Sequence, residues 1–407
     1  MDSIQIEKMV VTARWKTLTS SLLIVGLLGV HLGVLAAGNI KIAVDAEFGI
    51  PLSTSAQAVR NGAQVAVNEI NAAGGLLGRK LEIIERDNRA IPARSLNNLR
   101  ELAADPDVVA VLCARYSPVV VELLPEIHRL KMVVLDPWAA ANSITDNDYS
   151  PSYVFRLSLK DSWALPVMMR HALKSGARKV GLMLPNTEWG RSSLKSAENT
   201  ASKDTHQEIV DIQWYNWGDP SMVDRYQAMR KAGAESVIFV ANDREAVILV
   251  KEMANLPKEQ RLPLVAHWGL TGGQFFEQAG SALSVVDLSV VQTYTFIGKT
   301  DPIAKRVLMG LKSVTGNDDP RKVVSQVGVA HAYDLVQLLA RAIKQAKSTD
   351  RLLVRSALEK LGPYQGLLGQ IDKPFTSKRH DALTISDVYM AHFSDDGAIV
   401  PLGRTTR

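Results

Sequence analysis

GAQVAVNEINAAGGLLGRKLEIIERD, residues 62–87, decides the fold of this chain. With Val59 just upstream, Ala63, Ala66, Val67 and Ile70 recur at the three-to-four spacing of an amphipathic helix. Gly74 and Gly75 end that helix, because a left-handed C-cap is cheapest as glycine. Gly78-Arg79-Lys80 then turns the chain into Leu81-Glu-Ile-Ile-Glu85, a short β-rich run. Upstream, Ile40-Lys-Ile-Ala-Val44 is another such run. Strand, helix and strand in that order make a βαβ unit, whose right-handed crossover lays the two strands parallel in one sheet.

The same residues carry a resemblance. Pro51-Leu52-Ser53, Glu69-Ile70-Asn71, Gly74-Gly75, Gly78-Arg79 and Asp87 stand in the order found at the start of type I periplasmic binding proteins. The chain most resembles the leucine/isoleucine/valine-binding family that feeds ABC transporters, from Ile40 to about Gly403. That resemblance implies an α/β fold of two lobes, each a parallel sheet flanked by helices, joined by a three-strand hinge. It places the N-terminal lobe at 39–156 and 292–382, and the C-terminal lobe at 157–291 and 383–407.

At 407 residues the chain is long for one core and comfortable for two lobes. Net charge is +5, with no Lys/Arg block or aromatic-interleaved basic stripe, so nucleic acid is not an expected partner. Lys8, Arg14 and Lys16 precede a largely apolar run over 18–37 that ends in small residues. This is the pattern of a cleaved secretory signal peptide over 1–36, the competing reading being an uncleaved anchor. The single cysteine, Cys113, lies in an apolar run and reads as a buried structural thiol. Export without a lipid anchor or disulfides points to a Gram-negative periplasm.

Strand and helix patterns alternate down the chain. Val108-Val-Ala-Val-Leu112 and Met132-Val-Val-Leu135 read as buried parallel strands, with helices over 92–104 and 118–130. A second series follows, with strands at 179–184, 208–212, 236–240 and 264–266. The segments 153–157 and 289–294, and a third near His380, are the expected crossings between lobes; 385–393 reads as a late strand. Ligands of open α/β sheets sit beyond the carboxyl ends of the strands, so the loops after them are where a site belongs.

Those loops supply the candidates. Ser117, behind Tyr116 at a helix start, caps free N–H groups or, as the resemblance implies, holds a ligand carboxylate. The segment Trp138-Ala139-Ala140 matches the one whose backbone and threonine meet the ligand in the family, and here the threonine position is Ala140. Trp138 either packs between lobes or walls an apolar ligand. Trp189 stands where, as the resemblance implies, an aromatic residue stacks on the ligand, or else it packs in the core; Asn242-Asp243 offers polar contacts or a plain helix cap. His267-Trp268 replaces the glutamate that pairs a ligand ammonium in amino-acid binders. Either Asp243 or Asp45 then substitutes, or the ligand lacks an α-ammonium.

No dinucleotide, P-loop, nucleophile-elbow or zincin string occurs, and the eight histidines show no i,i+4 pair for a metal. No enzyme activity, cofactor or metal is expected. The reading is a monomeric periplasmic solute-binding protein that captures a small carboxylate-bearing molecule by hinge closure and passes it to a membrane ABC permease. The alternative is a sensor presenting its closed form to a receptor or regulator.

Overall fold

The computed structural model describes residues 38–113, 115–203 and 206–403. The signal-peptide reading over 1–36 lies outside them. Two sheets dominate. The first is parallel throughout, in the order β2-β1-β3-β4-β5, from β1 (Ile40–Ala46), β2 (Leu81–Asp87), β3 (Val108–Cys113), β4 (Val133–Asp136) and β5 (Val154–Arg156). Its inner strand β3 is buried along its whole length between β1 and β4, which is why its sequence is an unbroken apolar run.

The second sheet has the order β14-β13-β10-β9-β8-β6-β7. Its parallel part is β6 (Lys179–Pro185), β7 (Glu208–Tyr215), β8 (Ser236–Phe239), β9 (Leu264–Ala266) and β10 (Leu288–Gln292). The short hairpin of β11 (Tyr364–Gly366) and β12 (Gly369–Ile371) precedes the last two strands, β13 (Tyr389–Phe393) and β14 (Ile399–Pro401). β13 runs antiparallel to β10 with Val290 opposite Ala391, and β14 folds back antiparallel on β13. The second sheet is thus mixed where the sequence led us to expect a parallel one. The β13–β14 pairing has a local cause: only a short turn at 394–398 joins the two strands, and a tight turn can join only antiparallel neighbours; β13 itself enters beside β10 only after the long return of the chain through the first lobe. The expected strand over 385–393 begins only at Tyr389, because Ile385–Asp387 forms a 3-10 turn held by the Thr384 and Asp387 capping box.

The helix Ser55–Ala72 packs on Gln326–Ala346, although the two lie far apart in sequence. Their backbones nearly touch, since a Cβ on Gly62 would lie 2.1 Å from the Val329 carbonyl oxygen. The chain passes from the first sheet to the second after β5, returns after β10, and crosses again beside His380. At this third crossing the Arg156 N–H donates to the His380 carbonyl (2.8 Å) and the Ala382 N–H to the Arg156 carbonyl (2.8 Å). Buried Asp381 there accepts from Arg156 Nε (2.7 Å) and Lys160 Nζ (3.0 Å). Burial alone would raise the Asp381 pKa, but the two cations outweigh it and hold the carboxyl at about 2.

Candidate functional site

The loops at the carboxyl ends of both sheets face each other in one buried seam. The Thr54 N–H donates to the Gly272 carbonyl (2.9 Å), Ser325 Oγ to the Thr271 carbonyl (2.9 Å), and Ser53 bridges to Gly273. Across the seam the Asn142 N–H donates to Ser192 Oγ (2.9 Å). All ten residues singled out from the sequence lie at or beside this seam.

Ser117 does not cap its helix. It is the first residue of the helix Ser117–Leu130, and its Oγ accepts from the Ala140 N–H (3.1 Å) and the Ala141 N–H (3.2 Å). The Trp138 and Ala139 N–H groups both donate to Asp136 Oδ1, at 2.9 and 2.8 Å. Four successive amides of this loop are therefore satisfied inside the first lobe. The Ser117 hydroxyl still has its own hydrogen to give. Asn242 occupies the N-cap position of the helix Asp243–Ala254 without a side-chain cap bond, and it lies against Gly269.

The aromatic residues form a chain through the seam. Trp138 of the first lobe meets Trp268 of the second at 5.7 Å between ring centroids. Trp268 also packs on His331 (5.6 Å), and Trp189 stands edge-on to His267 (4.9 Å). Both Trp138 and Trp268 are buried.

Three charged residues of the seam escaped selection from the sequence. Arg115, in the loop after β3, sends its guanidinium between Glu47 of the first lobe (3.7 Å) and Asp243 of the second (2.8 Å). Its Nη2 also donates to the Tyr116 hydroxyl (2.8 Å). Burial works against the charge, yet Tyr116, Asp243 and Glu47 hold the Arg115 pKa above its ordinary value. Burial likewise pushes the Tyr116 phenol up to about 12. The match is Coulombic rather than well bonded, because Arg115 Nε, Glu47 Oε2 and Asp243 Oδ1 have no hydrogen-bond partner. The third residue is Asp161, at the start of the helix Asp161–Lys174. Its Oδ1 accepts from Trp189 Nε1 (3.3 Å) and lies 3.3 Å from His267 Nε2. The sequence shows each of these only as a lone charge in a loop or at a helix start.

Asp45, a candidate substitute for the missing glutamate, is already engaged: Ser95, Asn88 (3.0 Å) and Asn98 (2.7 Å) all donate to it. A groove of about 680 Å³ at the edge of the seam is lined by Asn142 of the first lobe and by Ser192, Arg170, Lys195 and Lys203 of the second. It contains none of the ten candidates, and its charged side chains are solvated; the seam has the buried charges and rings that recognition needs. Among the described residues, no group of three or more His, Cys, Asp or Glu side chains is placed to hold a metal ion.

Comparison with known proteins agrees with this architecture. The periplasmic binding protein family matches residues 39–398. A leucine-, isoleucine-, valine-, threonine- and alanine-binding protein of Pseudomonas aeruginosa is 23% identical over 80% of this chain and 83% of its own. A type 1 periplasmic binding protein from Bordetella pertussis superposes with a TM-score of 0.80 at 21% identity, covering 89% of this chain and 99% of that one. The branched-chain amino acid transporter substrate-binding protein of Streptococcus pneumoniae, in complex with isoleucine, gives 0.74 at 22% over 89% and 100%. An ABC-transporter solute-binding protein from R. palustris, in complex with 4-hydroxybenzoate, gives 0.75 at 17% over 89% and 95%. These relatives are substrate-binding proteins and not enzymes. The chain belongs to the periplasmic binding protein family, in its type I, leucine/isoleucine/valine-binding branch.

Proposed function

We propose that this protein is the periplasmic substrate-binding component of an ABC transporter, taking a small carboxylate-bearing solute into the seam between its lobes. The solute class is a hydrophobic amino acid or an apolar or aromatic carboxylate. The supporting observation is the meeting of Trp138 and Trp268 across the lobe boundary, directly beside the Ser117–Ala140–Ala141 cluster. The rings offer apolar surface, and the cluster offers a hydroxyl and amides for a carboxylate once the lobes separate. Opening and closing occur about the three crossings, and the closed form is the one a membrane permease reads. The relatives that carry isoleucine and 4-hydroxybenzoate span the same two solute classes. Residues 1–36 direct export and are removed, and the mature chain works as a monomer.

A thermal-shift screen of the chain from Gly38 onward tests this reading, with branched-chain and aromatic amino acids, benzoates and short fatty acids as the panel. A solute at a hundred times its dissociation constant adds about 2.7 kcal/mol of stability. At least one of these solutes should raise the melting temperature saturably. A panel without any saturable shift refutes the proposal.

A further inference from the structure

One face of the helix Glu188–Ala201 borders the groove of about 680 Å³ at the edge of the seam. Arg191, Ser192, Lys195, Ser196, Asn199 and Thr200 recur along that face at three-to-four spacing. Its small residues make the floor. Ser192 and Ser196 are buried, and the Ser196 and Thr200 hydroxyls turn back to donate to the Ser192 and Ser196 carbonyls (2.8 Å each). The cations stand at the sides and are exposed: Arg191 and Lys195 one turn apart, Lys203 just past the helix end, and Arg170 from the helix Asp161–Lys174 opposite. The two acidic side chains of the groove are engaged at its seam end, Asp146 with Lys160 and Glu188 with Ser143 Oγ (3.2 Å). Among the described residues, no carboxylate comes within ion-pair distance of any of the four cations.

We infer that this groove is a second binding site, apart from the solute seam, for an extended acidic segment of a partner protein. Four residues of helix rise about 6 Å, so Arg191 and Lys195 stand about 6 Å apart along the axis and Lys203 about 12 Å further on. Side chains on one face of an extended chain recur at nearly the same interval, about 6.6 Å for every second residue. Carboxylates at alternate positions of such a segment therefore fall in step with the cations. A single exposed ion pair adds little, but cations in step along one trough act together. The backbone supplies a second match. Pro166 has no N–H to give the Ser162 carbonyl four residues back, and both residues line the groove. That carbonyl suits a ligand with N–H donors, which a peptide backbone carries and a polyphosphate lacks. A bilayer surface is flat and cannot reach the Ser192–Ser196 floor. The site stands whatever solute the seam takes.

Fluorescence anisotropy with two labelled peptides tests the site. One alternates glutamate and serine strictly over about twelve residues, enough to span the helix. The other is its isomer, with the same glutamates gathered in one block. The wild-type protein should bind the alternating peptide saturably and about threefold or more tighter than the block, a result that needs no variant. Raising the salt should weaken that binding. Lys195→Glu combined with Lys203→Glu should weaken the alternating peptide about tenfold or more at an unchanged melting temperature, and Lys195→Gln with Lys203→Gln should weaken it less. Absence of saturable binding, a block peptide that binds as tightly as the alternating one, or double-variant affinity equal to wild type overturns the inference. Phosphatidylglycerol vesicles and tripolyphosphate are run beside the peptides. Tighter binding of either, lost in the double variant, reassigns the groove to a phosphate ligand and overturns the inference as well. None of these failures touches the solute panel, which reads the seam alone.

Discussion

Replacing Ser117 with alanine removes one acceptor from two buried amides. Ser117 Oγ lies 3.1 Å from the Ala140 nitrogen and 3.2 Å from the Ala141 nitrogen, and all three residues are buried. A buried donor left without a partner costs about 1–3 kcal/mol. Both bonds are at the long end of the normal range, so the lower half of that interval applies to each. The ligand-free Ser117→Ala protein should therefore lose about 2–4 kcal/mol. Urea denaturation of the chain from Gly38, followed by tryptophan fluorescence and by circular dichroism, reads this loss as a lower midpoint at unchanged slope. Ser117→Thr keeps the hydroxyl and should recover at least half of it. A Ser117→Ala midpoint within about 0.5 kcal/mol of wild type would show that the hydroxyl does not hold the loop, and would remove the basis for a carboxylate site there.

Other expectations follow from the same geometry. Gly272→Ala places a Cβ 2.1 Å from Arg115 Nη1, so the lobes should sit further apart, read as a larger radius of gyration by small-angle scattering without ligand. Asp243→Asn strips Arg115 of its partner across the seam and should cost about 3 kcal/mol, the low end for a broken buried pair because Glu47 remains; denaturant midpoints check it. Gly62→Ala forces a methyl against the Val329 carbonyl and should destabilise by about 1–3 kcal/mol in a melting experiment. Burial pushes the His331 pKa down to about 4, against a backbone bond to Pro137. Below the ordinary histidine value of about 6.5 the unfolded chain takes up a proton that the folded chain refuses, so stability falls between those two pH values and levels off below them. Asp334, raised to about 6 by burial, slopes the opposite way, so the readout is the difference between wild type and His331→Gln across pH 4–7.

The first sheet was legible because its strands are continuous apolar runs and its helices carry a three-to-four repeat, signals that act over a few residues. Gly74 and Gly75 hold positive φ where the sequence called for a helix stop. The two antiparallel strands were harder: β14 is three residues long and ends in proline, too short for any periodicity. The loops that converge were also legible, since they follow recognisable strands. What the sequence hid was pairing at a distance. Arg115 is one arginine between a strand and a helix, and its burial depends on Glu47 and Asp243 from two other loops. Asp161 looks like an ordinary helix-start aspartate, and its seam contacts are visible only with Trp189 and His267 in place. Ser117 was found for its position, but its partners come from the loop after β4 and not from its own helix.

The packing of Ser55–Ala72 on Gln326–Ala346, and the closing of the second sheet by β13 and β14, set the order in which this protein can be made. A chain emerging from the ribosome amino end first has every strand of the first sheet long before the helix that covers it. The second sheet waits for residues near the end of the chain. The last native contacts of both cores therefore form only when most of the chain has been made.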